Sequence, residues 1–417
     1  MFIFLKILKE SFVLSLQQLW ANRLRTFLSL LGVTVGIFSI IAILTAVDSM
    51  KSDIEDDLTK LGNDLVLVQK WPLYTGGEYP FWKYYQRPTA SHRDYEYLKE
   101  RSQTVGNLMY QLPVPNSVVS NGGRKLRGLE VVAGTHDYNQ VINMEIGFGR
   151  YFTIQESEAG YNVCIIGAEA AEELFDGALD VVDKEIMVDN IRVRIVGVIE
   201  KEGQSILGMN FNNVVLLPFE MVNKNMYIDH DQANPEIFMV PREGITMDAM
   251  IAESTGLMRN VRQLRPKQDD NFSLSKFSVV ANTFKNMLNI LGLAGWIIGG
   301  LALLVGGFGI ANIMYVSVKE RTNIIGIKKA LGAQKNYILY EFLFESVLLC
   351  LIGGSMGLLI IYSLLGTASE ASGFEFILTA KNITIGLGVS ALIGVIAGIL
   401  PALKAANLDP VEAIRAK

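Results

Sequence analysis

The stretch NMLNILGLAGWIIGGLALLVGGFGIANIMYVSV, Asn286–Val318, runs for 33 residues without a charge. Hydrocarbon about 30 Å thick needs roughly 20 apolar residues at about 1.5 Å of rise each, so this run is long enough to cross a bilayer. A helix in water does not go so far without a charged residue on its wet face. Three further runs share the property: Thr26–Val47, Ser346–Ser369 and Asn382–Leu403. The fold class expected is therefore an α-helical integral membrane protein with four transmembrane helices. A large mixed α/β domain is inserted between helices 1 and 2.

Orientation follows from lysine and arginine in the short flanks. Lys6, Lys9, Arg23 and Arg25 precede the first run, and Lys319, Arg321, Lys328, Lys329 and Lys335 lie between the second and third. Lys404, Arg415 and Lys417 follow the fourth, whereas the third-to-fourth connection carries Glu370, Glu375 and only Lys381. Both termini and the basic loop are expected in the cytoplasm and residues 48–285 outside. The ranges that follow are 1–25 as a cytoplasmic amphipathic helix, 26–47, 286–318, 337–369 and 382–403 as spans, and 48–285 as the outer domain. The connections are the basic loop 319–336, the outer loop 370–381 and the cytoplasmic tail 404–417.

Charge separates the same way. The whole chain has net charge −5, but residues 48–285 hold 24 basic against 34 acidic residues. An acidic exterior argues against nucleic acid and against docking on an anionic bilayer. Ala42–Ala46 loosely resembles a signal-peptide cleavage site. The 25 residues before the first run exceed an ordinary n-region, so that run is expected to stay as a span. Cys164 and Cys350 are expected as buried free thiols, since one lies in an outer strand pattern and the other inside the third run.

Along the chain, Phe4, Leu5, Leu8, Phe12, Leu16, Leu19 and Trp20 space out an amphipathic helix suited to the inner membrane face. Outside, strands are expected at 65–69, 162–167, 214–217 and 237–240. Glu185–Val188 and Ile191–Val198 form a hairpin across Asp189-Asn190. Helices are expected at 168–175 and 246–264, and the domain is expected to have two lobes. Residues 71–93, rich in Trp, Tyr, Pro and Gly, show no period and read as an exposed loop or cap.

Little in the chain points to catalysis. No G-x-x-x-x-G-K-[ST] loop occurs, and Gly299–Gly309 sits within a span, where small residues let helices approach closely. His92, His136 and His230 have no metal-ligand spacing, and no G-x-S-x-G element is present. The basic loop is more informative. Residues 320–331 read as a short helix stopped at Gly332, with Lys328 and Lys329 suiting its negative end. Ile324, Ile327 and Leu331 share one face and call for a partner, either this protein's own span ends or another protein, unless the helix lies flat on lipid headgroups. Glu341 and Glu345, one turn apart near the start of the third span, are expected as a membrane-interface polar pair bound to a loop lysine or arginine. Asp409, Pro410 and Glu412 mark an N-cap, N1 and N3, so a short tail helix is expected.

These segments carry a resemblance. ERTNIIGIKKALGAQKNYILYEFLFESVLLCLIGG (Glu320–Gly354) resembles the loop and third span of MacB/FtsX-type ABC transporter permeases, the type VII or mechanotransmission class. GGFGIANIMYVSVKER (Gly306–Arg321), LWANRLRTFLSLLGVTVGIFSIIAIL (Leu19–Leu44) and PALKAANLDPVEAIR (Pro401–Arg415) resemble its second span, first span and C-terminal motif. GRYFT, VCIIGAEAAEELF and IRVRIVGVIE are similar to parts of the MacB periplasmic core. MacB-like proteins fuse an ATPase domain ahead of span one, whereas 25 residues stand there here.

The resemblance implies a stand-alone permease subunit in a bacterial inner membrane, working as a homo- or heterodimer with a separate cytoplasmic ABC ATPase. That partner would hold ATP and Mg, and this chain would bind no cofactor and no metal. It assigns Glu320, Arg321, Gly326, Lys328, Lys329, Ala330, Leu331 and Gly332 to the ATPase-coupling contact. The function implied is export or extraction of a drug, peptide or lipoprotein, with a periplasmic adaptor and outer-membrane duct as further partners. The alternative is an FtsX-like relay of ATPase motion to a periplasmic cell-wall hydrolase or sensor, without transport.

Overall fold

The computed structural model describes residues 23–61, 65–73, 80–203, 205, 210–372 and 374–415. The amphipathic helix expected at 2–20 and residues 74–79 of the aromatic segment lie outside the described residues. The chain divides into two compact units, Ser52–Asn286 and the remainder up to Lys51 together with Met287–Lys417.

In the second of these, four helices among the described residues are long and apolar enough to cross a membrane. They are α1 (Arg23–Leu61), α2 (Phe277–Glu320), α4 (Lys335–Ser372) and α5 (Ala380–Ala406), with the short α3 (Thr322–Ala330) and α6 (Pro410–Arg415) beside them. Ile290, Leu293, Ile297, Val305 and Phe308 of α2 are exposed apolar side chains, a surface suited to lipid rather than water.

Inside the bundle, association rests on close backbone approach and interhelical hydrogen bonds, because lipid supplies no hydrophobic drive between helices. A Cβ on Gly306 would stand 2.6 Å from the Val33 nitrogen, and one on Gly32 would stand 2.8 Å from the Gly306 Cα. Thr34 Oγ1 donates to the Gly353 carbonyl at 3.0 Å and Ser346 Oγ to the Gly394 carbonyl at 2.9 Å. Gly306→Ala is expected to lower stability by about 1–3 kcal/mol through overpacking against backbone that cannot yield. Thermal unfolding in detergent checks it, and an unchanged midpoint would show that the α1–α2 contact is not tight.

The other unit is built on one mixed sheet of twelve strands among the described residues, in the order β12-β1-β11-β2-β5-β10-β7-β9-β8-β3-β4, with β6 beside β9. The strands are β1 (Val66–Gln69), β2 (Val105–Pro113), β3 (Val118–Asn121), β4 (Arg124–Arg127), β5 (Glu130–Gly134) and β6 (Ile146–Gly149). They continue with β7 (Val163–Ile166), β8 (Glu185–Val188), β9 (Ile191–Ile199), β10 (Val214–Pro218), β11 (Glu236–Pro241) and β12 (Ser273–Lys276). The first and last strands pair, Val66 opposite Lys276, so both ends of the insertion meet in one ladder. β7 and β10 are buried at every position, which is why they read as unbroken apolar runs. Val188 faces Ile191 across the expected two-residue turn, and Asp189 takes the positive φ of 52° that such a turn needs.

Helix His92–Arg101 begins with a reciprocal capping box between Ser91 and Asp94. Asp94 also receives Arg262 Nη2 at 2.8 Å, with both side chains more than nine-tenths buried. Cys164 and Cys350 are both free and buried.

One carboxylate of this sheet is out of its usual range. Glu236 accepts from Gln111 Nε2 at 3.1 Å and lines a cavity of about 140 Å³ with Glu130 and Tyr138. Burial pushes its pKa up to about 7, Gln111 pulls it down, and the negative charge of Glu130 pushes it further up. An acid with a raised folded-state pKa holds its proton better folded than unfolded. Its stabilising contribution is complete below the unfolded value of 4.5 and is lost as pH rises through about 7. The unit is therefore expected to lose stability between pH 5 and 8. Glu236→Gln is expected to flatten that slope and to be the more stable form at pH 8. Unfolding midpoints of both chains at pH 5, 6.5 and 8 check it, and parallel curves would contradict it.

Candidate functional site

The loop between α2 and α4 is held as a rigid, partly apolar platform. A helix of α3's length does not persist in water on its own, so its order must come from contacts. Its C-terminus closes in a full Schellman motif. Gly332, at φ 95°, donates to the Lys329 carbonyl and Ala333 donates to the Lys328 carbonyl, both at 3.0 Å. A non-glycine residue there would be strained.

Side chains tie the helix down from three directions. Lys328 Nζ donates to both carboxylate oxygens of Glu341 at 2.7 and 3.0 Å, and Arg321 Nη1 lies 3.5 Å from Glu345 Oε2. Both carboxylates sit on α4, with most of their surface buried, so each needs a cation near it. Lys329 Nζ donates to the carbonyls of Ala406 and Leu408 at 2.6 and 2.7 Å. Burial lowers the pKa of that ammonium, Lys335 adds to the effect and Asp409 opposes it. Asn323 Nδ2 donates to the Ile414 carbonyl at 3.2 Å. Just before α6, Asp409 Oδ1 accepts from the backbone nitrogens of Val411 and Glu412, as a capping residue ahead of Pro410 does.

Among the described residues an apolar stripe of this helix stays uncovered. Ile324, Ile327 and Leu331 are 54, 46 and 85 % exposed, while Ile325 on the opposite side is 2 % exposed. Three large aliphatic side chains thus share one exposed face of the helix, a patch of the kind suited to contact.

Two family models match in order. Residues 26–257 fit the MacB-like periplasmic core domain and residues 296–410 the FtsX-like permease C-terminal domain. The chain belongs to the MacB/FtsX-type permease family. It is a multi-pass membrane protein with a periplasmic core domain between its first two spans. The permease is 27% identical over 95% of its length to the pyoverdine export ATP-binding/permease protein PvdT of Pseudomonas syringae pv. tomato. It is 28% identical over 99% of its length to the macrolide export ATP-binding/permease protein MacB of Psychrobacter arcticus. The chain covers 58 and 60% of those two relatives, about three fifths of their length. Among solved structures, the periplasmic region of MacB from Actinobacillus actinomycetemcomitans matches 56% of this chain and 98% of its own, with 12% identity and a TM-score of 0.44.

Within the permease, the eight residues assigned to the coupling contact fall into two sets. Glu320, Ala330, Leu331 and Gly332 are exposed. Arg321, Lys328 and Lys329 are partly buried, Gly326 is fully so, and all four face the permease's own helices. The lysines read from sequence as complements to α3's own negative end are spent on Glu341 and on the end of α5. Glu341 lies against Lys328 and Glu345 against Arg321, both cations of the loop. Sequence reading missed Asn323 and the whole contact between α3 and α6, although the cap at Asp409 had marked α6 as a helix.

Proposed function

We propose that this permease is the membrane subunit of an ABC exporter, driven by a separate cytoplasmic ATPase that docks on the outward face of α3. The observation that carries this reading is the exposed Ile324–Ile327–Leu331 stripe on a helix held at both ends. A surface that must transmit force needs apolar contact area and a rigid mount, and α3 has both. The lysine and arginine bias of the flanks supports a cytoplasmic position for α3 and both termini. ATP and Mg are held by the partner, and this chain performs no chemistry of its own.

The physical route runs from α3 into the bundle. Motion imposed on α3 reaches α4 through Lys328–Glu341 and Arg321–Glu345, and reaches α2 through the chain itself. α1 and α2 lead directly into the periplasmic domain, so the stroke is delivered there. The spans carry no charged residue at mid-depth to line a hydrophilic path, which favours work done on the periplasmic side, on a drug, peptide or lipoprotein. A second permease copy, a periplasmic adaptor and an outer-membrane duct complete the assembly in this reading. The names of the relatives, both export proteins, support transport over a purely regulatory relay.

Pulldown of the solubilised permease from its native membrane, with and without trapped ATP, tests the reading by mass spectrometry. It is expected to recover an ABC ATPase with an adaptor or duct. Recovery of the ATPase with a cell-wall hydrolase instead would replace export by a relay, and recovery of no ATPase in either state would overturn the proposal.

A further inference from the structure

The docking helix is not braced by the spans alone. A Cβ on Gly326 would stand 2.9 Å from the Ala413 Cβ and 3.0 Å from the Ile414 backbone nitrogen, so α6 lies directly against the backbone of α3. Only glycine permits that approach. On the same side, Asn323 donates to the Ile414 carbonyl and Lys329 to the carbonyls of Ala406 and Leu408. Backbone nitrogens of Asn407 and Leu408 serve the carbonyls of Leu403, Lys404 and Ala405, which leaves Lys329 to bond the carbonyls of Ala406 and Leu408 at the negative dipole end of α5. A single ammonium there both satisfies them and fixes the chain direction leading into α6. Three consecutive contacts of α3, spaced at 323, 326 and 329, thus bind one strip of the tail.

We infer that Lys329 is a positioning residue: it locks the C-terminal helix α6 under α3 and so sets the orientation of the docking face, without touching the ATPase itself. This rests on α3 being the docking helix. It departs from the motif-based assignment, under which Lys329 and Gly326 are contact residues. Gly326 is buried under Ala413 and Ile414, and the Lys329 ammonium is bonded to the permease's own backbone. The tail becomes a working part of the coupling device, because it supplies the surface on which the outward stripe is held.

Hydrogen exchange on the full-length permease in lipid nanodiscs, with no ATPase present, gives the deciding readout. Lys329→Met is expected to speed amide exchange over residues 407–415 about tenfold, while Lys335→Met, which removes a nearby cation without touching the carbonyls, leaves it unchanged. ATPase affinity is then measured for Lys329→Met, for a chain ending at Leu408, and for both changes together. Each single change is expected to weaken binding roughly tenfold, and the combination no further than either alone. Unchanged exchange in Lys329→Met overturns the inference, as do losses that multiply in the combined chain, since these would place Lys329 in the contact. If Lys329→Met does not yield folded protein, Asn323→Ala cuts only the bond to Ile414 and is read in the same exchange assay. Leu331→Asp separates the two layers. Undiminished ATPase binding there removes the docking reading, while the exchange experiment still reports on the brace.

Discussion

Leu331→Asp is expected to weaken binding of the partner ATPase by at least about a hundredfold while leaving the permease folded. Leu331 is 85 % exposed in the permease alone, so the change costs the fold almost nothing. In an apolar contact the same carboxylate would be stripped of water, and Lys328 and Lys329 of the same helix are already engaged inward. An uncompensated buried charge costs about 3–5 kcal/mol, or roughly two to three and a half orders of magnitude in affinity. Titrating purified ATPase against wild-type and Leu331→Asp permease in nanodiscs measures it. Equal affinities would show that the exposed stripe is not the docking face.

The largest stability effect is expected in the periplasmic domain, at Arg262. This guanidinium, 8 % exposed, pairs with an Asp94 that is 6 % exposed, and it also donates to the carbonyls of Thr89 and Asn271 at 3.0 Å. Asp94 is meanwhile the N3 residue of the capping box that starts its helix. Arg262→Met keeps most of the apolar stem but leaves a buried carboxylate and two carbonyls without their donor. The expected loss is about 3–5 kcal/mol, the range for breaking one side of a buried pair. In a domain of this size that lowers the unfolding midpoint by roughly 10 °C. Thermal unfolding of the full chain checks it, and a shift below about 2 °C would mean that water reaches Asp94 and screens it. Asp94→Asn with Arg262→Met should recover part of the loss, because no buried charge remains.

The fold class was legible because membrane spans announce themselves through missing charge, and the hairpin at Asp189-Asn190 because few dipeptides tolerate its backbone. Several strands were not legible. β12 reads SLSK and β4 reads RKLR, both at the ends of the sheet order, where an edge strand is free to be polar. β2 carries Gly106, Asn107 and Gln111 within its length, which breaks the alternation that marks a strand. At the candidate site, the apolar stripe of α3 and its glycine stop were visible, since both follow from local spacing. The inward set was not separable from the outward set. A lysine that will cap another helix looks the same in sequence as one awaiting a partner protein. Likewise Gly326 reads as a weak point in a helix until Ala413 is seen against it.

One measurement reaches the proposed contact between α3 and the ATPase directly. A photo-crosslinking amino acid placed at Leu331 in the full chain, activated in living cells, captures whatever lies against the stripe. An adduct with an ATP-binding protein is expected, lost when the same residue is placed at the buried Ile325 position. Adducts with lipid alone, or with none but a second permease copy, would contradict it.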